Sequence, residues 1–356
     1  FLRVMNRIKI RNRYVGKDDP CLIMVDAGVN HNNDPARAIE LVHQSADAGA
    51  DVVKFQTYKA NNITTKTAPR YWNPKLDTDG GGTQHDTFSR IDDLPIEAYA
   101  EMKKVAEERD IIFSSTPFNL TDVAFLHDLG MDVFKISSSD LVYHQMIKEV
   151  SKTGKPVILS TGTASIAEME QAVEIVLKEG NEDIILQHCM LSYPCEYRDA
   201  NLKKMVRMQE IFKDIPIGYS DHTYGDEIPS AAVALGAKSI EKHFTLDNQL
   251  PDSPDHGFAL DPSGLLEMVQ RIRRTEEGMG VFVSGPYESE YSAYQLARKS
   301  LTSLKKISKG ERITEEMLTC KRPGTGYMPF DIEKVIGKVA KIDIDEDQTI
   351  LPEMIM

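Results

Sequence analysis

Residues 157–180 read VILSTGTASIAEMEQAVEIVLKEG and contain one complete strand–helix unit. The apolar run at 157–159 is short and rich in branched side chains, the pattern of a strand covered on both faces. Ser165 with Glu168 forms a capping box, and Ile166, Met169, Val173, Val176 and Leu177 then recur at helical spacing until Gly180 closes the segment. The same unit repeats on both sides. Runs at 22–25, 52–55, 111–114, 133–136, 184–186, 217–219 and 239–240, the last continuing toward His243, bring the strand candidates to eight. Asp34-Pro35 supplies a cap and a first-turn proline for the first helix, whose pattern runs to Gly49. Eight successive strand–helix units over roughly 250 residues predict an α/β fold, a (β/α)8 TIM barrel. An open doubly wound sheet is the alternative, but no Gly-x-Gly-x-x-Gly opens the first unit.

One connection is far longer than the rest. Residues 58–94 are polar, carry Tyr71-Trp72 and Gly80-Gly81-Gly82, and show little helical pattern, which reads as a functional lid or a disordered surface insertion. Past Gly280 the pattern changes. Gly285-Pro286 and the polar residues 288–295 read as a linker, and short apolar pieces punctuated by Lys309-Gly310, Pro323-Gly324 and Gly326 follow. The expected division is an N-terminal extension at 1–19, of which residues 1–4 carry no weight, a barrel at 20–282, a linker at 283–296, and a small, mostly irregular or β domain at 297–356.

With 42 basic and 55 acidic residues the net charge is −13, and no basic tract interrupts it, which argues against nucleic acid as a partner. An anionic substrate would therefore need a local cluster of lysines, arginines or a metal. No apolar run approaches the ~20 residues of a membrane span, and no leader pattern opens the chain, so neither a membrane nor secretion is expected. Cys21, Cys189, Cys195 and Cys320 show no CxxC pair and no scaffold density, which suits reduced thiols and a cytoplasmic location.

A barrel of this kind carries its active site at the carboxyl ends of the strands. Polar residues there are Asp26, Asn30 and His31; Lys54 and Gln56; Ser115 and Thr116; and Lys135, Ser138 and Asp140. The remaining ends carry Ser160 and Thr161; His188 and Tyr193; Ser220, Asp221 and His222; and Glu241, Lys242 and His243. Lys54 and Lys135 sit inside apolar strand sequences, where an unpaired ammonium is costly, so they point to an anion-binding site. His222 and His243 close adjacent strands and could converge on a divalent ion completed by oxygen ligands.

These segments together resemble the sialic acid synthase family, the bacterial-type synthases of nonulosonic acids. The resemblance rests on Ala27-Gly28-Val29-Asn30-His31, Val53-Lys54-Phe55-Gln56, Ser114-Ser115-Thr116-Pro117-Phe118 and Phe134-Lys135-Ile136. It continues through Leu159-Ser160-Thr161-Gly162, Gln187-His188-Cys189, Ser192-Tyr193-Pro194, Gly218-Tyr219-Ser220-Asp221-His222-Thr223 and Ile240-Glu241-Lys242-His243-Phe244-Thr245. Lys299-Ser300 and Lys321-Arg322-Pro323-Gly324 resemble the family's antifreeze-like (SAF) domain.

The resemblance implies condensation of phosphoenolpyruvate with an N-acylated hexosamine to a nonulosonic acid, with phosphate released by C–O cleavage. It leans to a sialic or legionaminic type of product. It implies Mn²⁺ or Mg²⁺ held by His222 and His243, and phosphoenolpyruvate held by Lys54, Thr116, Lys135, Ser138, Ser160 and Ser220. Gln56, Tyr193, Asp255 and Arg322 would contact the sugar, Arg322 from the partner chain of a domain-swapped homodimer. Asp26, Lys54, Lys135, Asp140 and Glu241 would be catalytic. Asp26 and Asp140 stand where many members carry Glu, a loss of roughly 1.5 Å of reach. The loop Pro251-Asp252-Ser253-Pro254-Asp255 is longer than the family's Pro-Gly-Pro-Asp, which could displace Asp255. The rival readings are a Schiff-base aldolase using Lys135 or Lys242 and a non-catalytic glycan-binding protein.

Overall fold

The computed structural model of the chain describes residues 5–76, 78 and 80–356; residues 1–4 lie outside it. It contains two compact units, Phe1–Met279 and Gly280–Met356. The first opens with a hairpin, β1 (Ile8–Ile10) and β2 (Arg13–Val15), paired antiparallel. Eight parallel strands follow: β3 (Leu22–Gly28), β4 (Val52–Thr57), β5 (Ile112–Pro117), β6 (Phe134–Ile136), β7 (Val157–Ser160), β8 (Ile184–Cys189), β9 (Ile217–Asp221) and β10 (Ser239–His243).

Their hydrogen-bonded order, β5-β4-β3-β10-β9-β8-β7-β6, is that of a barrel opened at one seam. β5 and β6 run beside each other there, and the buried Ser114 hydroxyl reaches across to the Val133 carbonyl at 3.1 Å. Helices follow the strands as the sequence requires. Asp34 caps Pro35–Asp47 by accepting from Ala36 and Arg37, and Ser165 and Glu168 close the capping box of Ile166–Lys178.

Strand alternation sorts the side chains into two cores. Ile23, Val25, Val53, Phe55, Leu159 and Ile240 face outward and pack with the helices. Leu22, Met24, Val52, Ile112, Ile158 and Ile185 face inward and pack with Ile8, Ile10 and Val15 of the hairpin. The N-terminal hairpin is therefore a plug for the amino end of the barrel. Its Ile-Lys-Ile alternation was the signal for this. With that end filled, the opposite end is left for chemistry.

The 58–94 connection is neither regular nor formless. Ala60–Ile63 and Gln84–Phe88 are short helices, the second with a Thr83–Asp86 capping box. Val29, Tyr58, Ile91, Ile63, Phe88 and Phe118 form a small apolar cluster apart from the main core. In the second unit β11 (Ser300–Ser303) pairs antiparallel with β12 (Leu318–Lys321) over a core including Leu301, Ile307, Ile313, Val335, Ala340, Ile344 and Ile350. Most of the rest is irregular, although Tyr291–Leu296, in the stretch read as linker, is helical.

Candidate active site

A cavity of about 900 Å³, counting its open mouth, lies at the carboxyl end of the barrel. The strand alternation that fills the bottom with aliphatic side chains brings Asp26, Lys54, Gln56, Thr116, Lys135, Ser160, Cys189, Ser220, Glu241 and His243 into it. His222, one residue past β9, joins them, as do Ser138 and Tyr193 from loops and Asp255 from the loop after β10.

Each lysine has a carboxylate partner. Lys54 Nζ lies 2.8 Å from Asp26 Oδ2 and 3.7 Å from Glu241 Oε1, and Lys135 Nζ lies 3.1 Å from Glu241 Oε2. Burial pushes the Lys54 pKa down, but the carboxylates of Asp26 and Glu241 outweigh it and the ammonium is held above its ordinary range. Burial likewise pushes Asp26 up, and Lys54 with His243 brings it below the usual carboxylate range. Among the lining residues stand two lysines against three carboxylates, Asp26, Glu241 and Asp255, and no arginine. A polyanionic ligand would meet net repulsion here unless a further cation were present.

The imidazoles fit that cation. His222 and His243 have ring centroids 5.2 Å apart, and Tyr193 stacks on His222 at 4.1 Å. His222 Nδ1 donates to the Met190 carbonyl at 2.7 Å, so Nε2 is the nitrogen left to carry the lone pair in the neutral ring, and the contact fixes the ring as outer partners do for metal-binding histidines. His243 Nδ1 is buried without a satisfying hydrogen bond, 3.2 Å from Asp255 Oδ2, and its Nε2 is 3.6 Å from Asp26 Oδ2. Two imidazoles beside carboxylate oxygens suit Mn²⁺ or Mg²⁺ with open positions. Among the described residues no three such side chains are gathered tightly enough to hold an ion unaided, so an ion there would need water or substrate to complete its shell. Burial pushes His222 down, but the neighbouring Cys189 sulfur and the Met190 carbonyl raise it to about 9.

Hydroxyl and amide groups line the side nearer Lys135. Gly162 N donates to Ser138 Oγ at 2.9 Å, and a Cβ at Gly162 would come within 2.7 Å of that oxygen, so glycine permits the close approach. The Thr116 hydroxyl is buried with no partner among the described residues. On the other side Gly28, at φ +52°, packs so that a Cβ would lie 3.2 Å from Gln56 Nε2 and 3.6 Å from Asp255 Oδ2. The long final loop is clamped to the first: Asn32 Nδ2 donates to the Pro251 carbonyl at 2.7 Å, and Ser253 Oγ to Asn30 Oδ1 at 2.8 Å. Its extra length therefore leaves Asp255 in the cavity, and the shorter Asp26 still reaches both Lys54 and His243.

Several strand-end residues go elsewhere. Lys242 points away from the cavity, fully buried, with Nζ 2.6 Å from Asp221 Oδ2 and a further bond to the Thr223 carbonyl. It is thus no candidate for a Schiff base in the site; its neighbours Glu241 and His243, one residue either way, face inward. Ser115 bonds Thr57, Thr161 the Gln187 carbonyl and His188 the Ala200 carbonyl. Asp140 is not itself among the lining residues, although Ser137, Ser138 and Ser139 are, and its carboxylate accepts from Ser137 Oγ at 2.5 Å. Arg322 belongs to the second unit, where it is exposed.

The sequence reading missed the aromatic wall of Tyr58, Tyr71, Trp72 and Phe88, and Cys189 as a lining group. Alternation beyond Lys54 and Gln56 to Tyr58, and beyond Gln187 to Cys189, was the available signal.

Residues 41–284 match the family model described as the NeuB family, and residues 298–356 match the SAF domain. N,N'-diacetyllegionaminic acid synthase of Campylobacter jejuni is 40% identical over 92% of this chain and 98% of its own. Human N-acetylneuraminate-9-phosphate synthase is 34% identical over 96% of this chain and 95% of its own. The crystal structure of N-acetylneuraminic acid synthetase from Leptospira borgpetersenii, in complex with citrate, superposes with a TM-score of 0.71 at 31% identity, covering 82% of this chain and 96% of that one.

Proposed function

The chain belongs to the NeuB family, and from that premise we propose that it condenses phosphoenolpyruvate with an N-acylated hexosamine to give a nonulosonic acid and phosphate. The observation that carries the reading is the buried array of Lys54, Lys135, Asp26, Glu241 and two imidazoles in one cavity, whose lysines serve an anion and whose histidines serve a cation. Relatives named as legionaminic and sialic acid synthases support a sugar of the same class.

In this reading Lys54 and Lys135 neutralise the phosphate and carboxylate of phosphoenolpyruvate, and Thr116, Ser138, Ser160 and Ser220 supply neutral donors around them. His222 and His243 hold Mn²⁺ or Mg²⁺, which when bound supplies Lewis acidity toward the open-chain sugar aldehyde. Gln56, Tyr193 and Asp255 orient the sugar so that the aldehyde carbon faces the methylene carbon of phosphoenolpyruvate. The π pair of phosphoenolpyruvate forms the carbon–carbon bond as the carbonyl π bond breaks, and the resulting alkoxide takes a proton from water. Water then adds at the second carbon of the former phosphoenolpyruvate, giving its proton to Glu241, which lies beside both lysines. Collapse of that adduct breaks the C–O bond, phosphate leaves with the proton of the new hydroxyl, and the 2-keto acid remains. Asp26 keeps Lys54 charged and His243 in place. Arg322 of a partner chain completes the sugar site in a domain-swapped homodimer. Four unpaired cysteines agree with a cytoplasmic enzyme.

The test is phosphate release from phosphoenolpyruvate with Mn²⁺ and a panel of N-acetylmannosamine and the two diacetamido-trideoxyhexoses. Release that requires one of these sugars supports the reading; release with none of them overturns it.

A further inference from the structure

The wall built by the long connection contains a group that the reaction above does not use. Strand alternation carries Lys54, Gln56 and then Tyr58 to one face, and Tyr58 lines the cavity while only 7% exposed. Its hydroxyl is buried with no hydrogen-bond partner among the described residues. Its ring is fixed edge-on against Phe88 and Phe118, with centroids 5.6 and 5.5 Å away. Val29, Ile63 and Ile91 complete an apolar shell around it. The result is a small greasy subsite with a single donor.

A buried hydroxyl left unpaired is costly, so the complementary ligand brings one acceptor together with apolar surface. A phosphate or carboxylate does not fit, because the charged groups acting on this hydroxyl are the carboxylates of Asp255 and Asp92. A sugar hydroxyl would leave the apolar shell unfilled. A secondary acylamido group supplies both a carbonyl oxygen and a methyl. The subsite also adjoins the sugar side of the cavity. Val29 follows Gly28, the glycine packed against Gln56 and Asp255.

We infer that Tyr58 donates to the acyl carbonyl of the amino sugar while Val29, Ile63, Phe88, Ile91 and Phe118 enclose its methyl, which makes Tyr58 a specificity determinant. The inference rests on the proposed reaction for the identity of the sugar. Its test is Tyr58→Phe, which removes the oxygen and keeps the ring, with a thermal melt to show that the fold is retained. N-acetylmannosamine and mannose, which differ at the acylamido position, are compared by calorimetry on Mn²⁺-loaded protein and by kcat/KM in phosphate release. The expected result is that the preference of the native protein for N-acetylmannosamine falls about tenfold or more in the variant, the loss of one buried hydrogen bond. An equal loss for both sugars, an undiminished preference, or no preference in the native protein overturns it. Absence of turnover with every sugar counts against the proposed reaction alone, since calorimetry still reads the subsite.

Discussion

Replacing Lys54 by Met should make the barrel markedly easier to unfold, and replacing Asp26 as well should undo most of the damage. Lys54 Nζ and Asp26 Oδ2 are 2.8 Å apart, and each side chain is about 3% exposed. At an effective dielectric near 20 the attraction is about 6 kcal/mol, most of it offset by the desolvation of two ions. Lys54→Met leaves a buried carboxylate without its cation, at a cost of ~3–5 kcal/mol. Asp26→Asn keeps the shape and leaves Lys54 with Glu241 at 3.7 Å, so its cost is smaller, ~1–3 kcal/mol. The double variant buries neither charge and should lie within about 2 kcal/mol of the native protein, a coupling of several kcal/mol. Urea unfolding at pH 7 reads this through Trp72, the single tryptophan, which lines the cavity and is buried. Additive losses would show that Lys54 and Asp26 are not one electrostatic unit. Both variants without Lys54 should lose the use of phosphoenolpyruvate, because the double variant restores stability without restoring the cation.

His222→Ala and His243→Ala should each lose bound Mn²⁺ by elemental analysis and with it turnover; full metal content in both variants would refute the ligand assignment. Burial depresses His31 and His256 to about 4, so between about 6.5 and 4 the unfolded chain binds more protons and stability falls as pH falls. With both histidines that slope is about 3 kcal/mol per pH unit, and His31→Asn should roughly halve it in urea titrations at pH 5 and 6.5. Arg322→Ala should weaken amino-sugar use by roughly one to three kcal/mol and spare phosphoenolpyruvate binding. Mixing it with His222→Ala protein under conditions of subunit exchange should recover activity through one intact mixed site, and no recovery would contradict the swapped dimer.

The fold was legible because each strand is a short apolar run and each helix announces its start, as Ser165–Glu168 does; the observed strands fall on the eight expected runs. The site was legible only in part. A list of polar strand ends mixes the two faces of each strand, so Lys242 and Thr161 stood beside Glu241 and Ser160 until alternation separated them. Asp140 sits in a 3-10 turn, where period two gives no direction. The aromatic wall was illegible for another reason. Beyond Tyr58, which continues the alternation of β4, Trp72 and Phe88 are brought together by tertiary contacts of an irregular segment, and no local periodicity encodes those.

The central claim is C–O cleavage of phosphoenolpyruvate driven by attack on an amino sugar. Phosphoenolpyruvate carrying ¹⁸O in the bridging position, incubated with the Mn²⁺-loaded protein and the accepted sugar, tests it by ³¹P NMR. The account predicts that the released phosphate retains the ¹⁸O and forms only when the sugar is present. Unlabelled phosphate, or labelled phosphate released without the sugar, would contradict it.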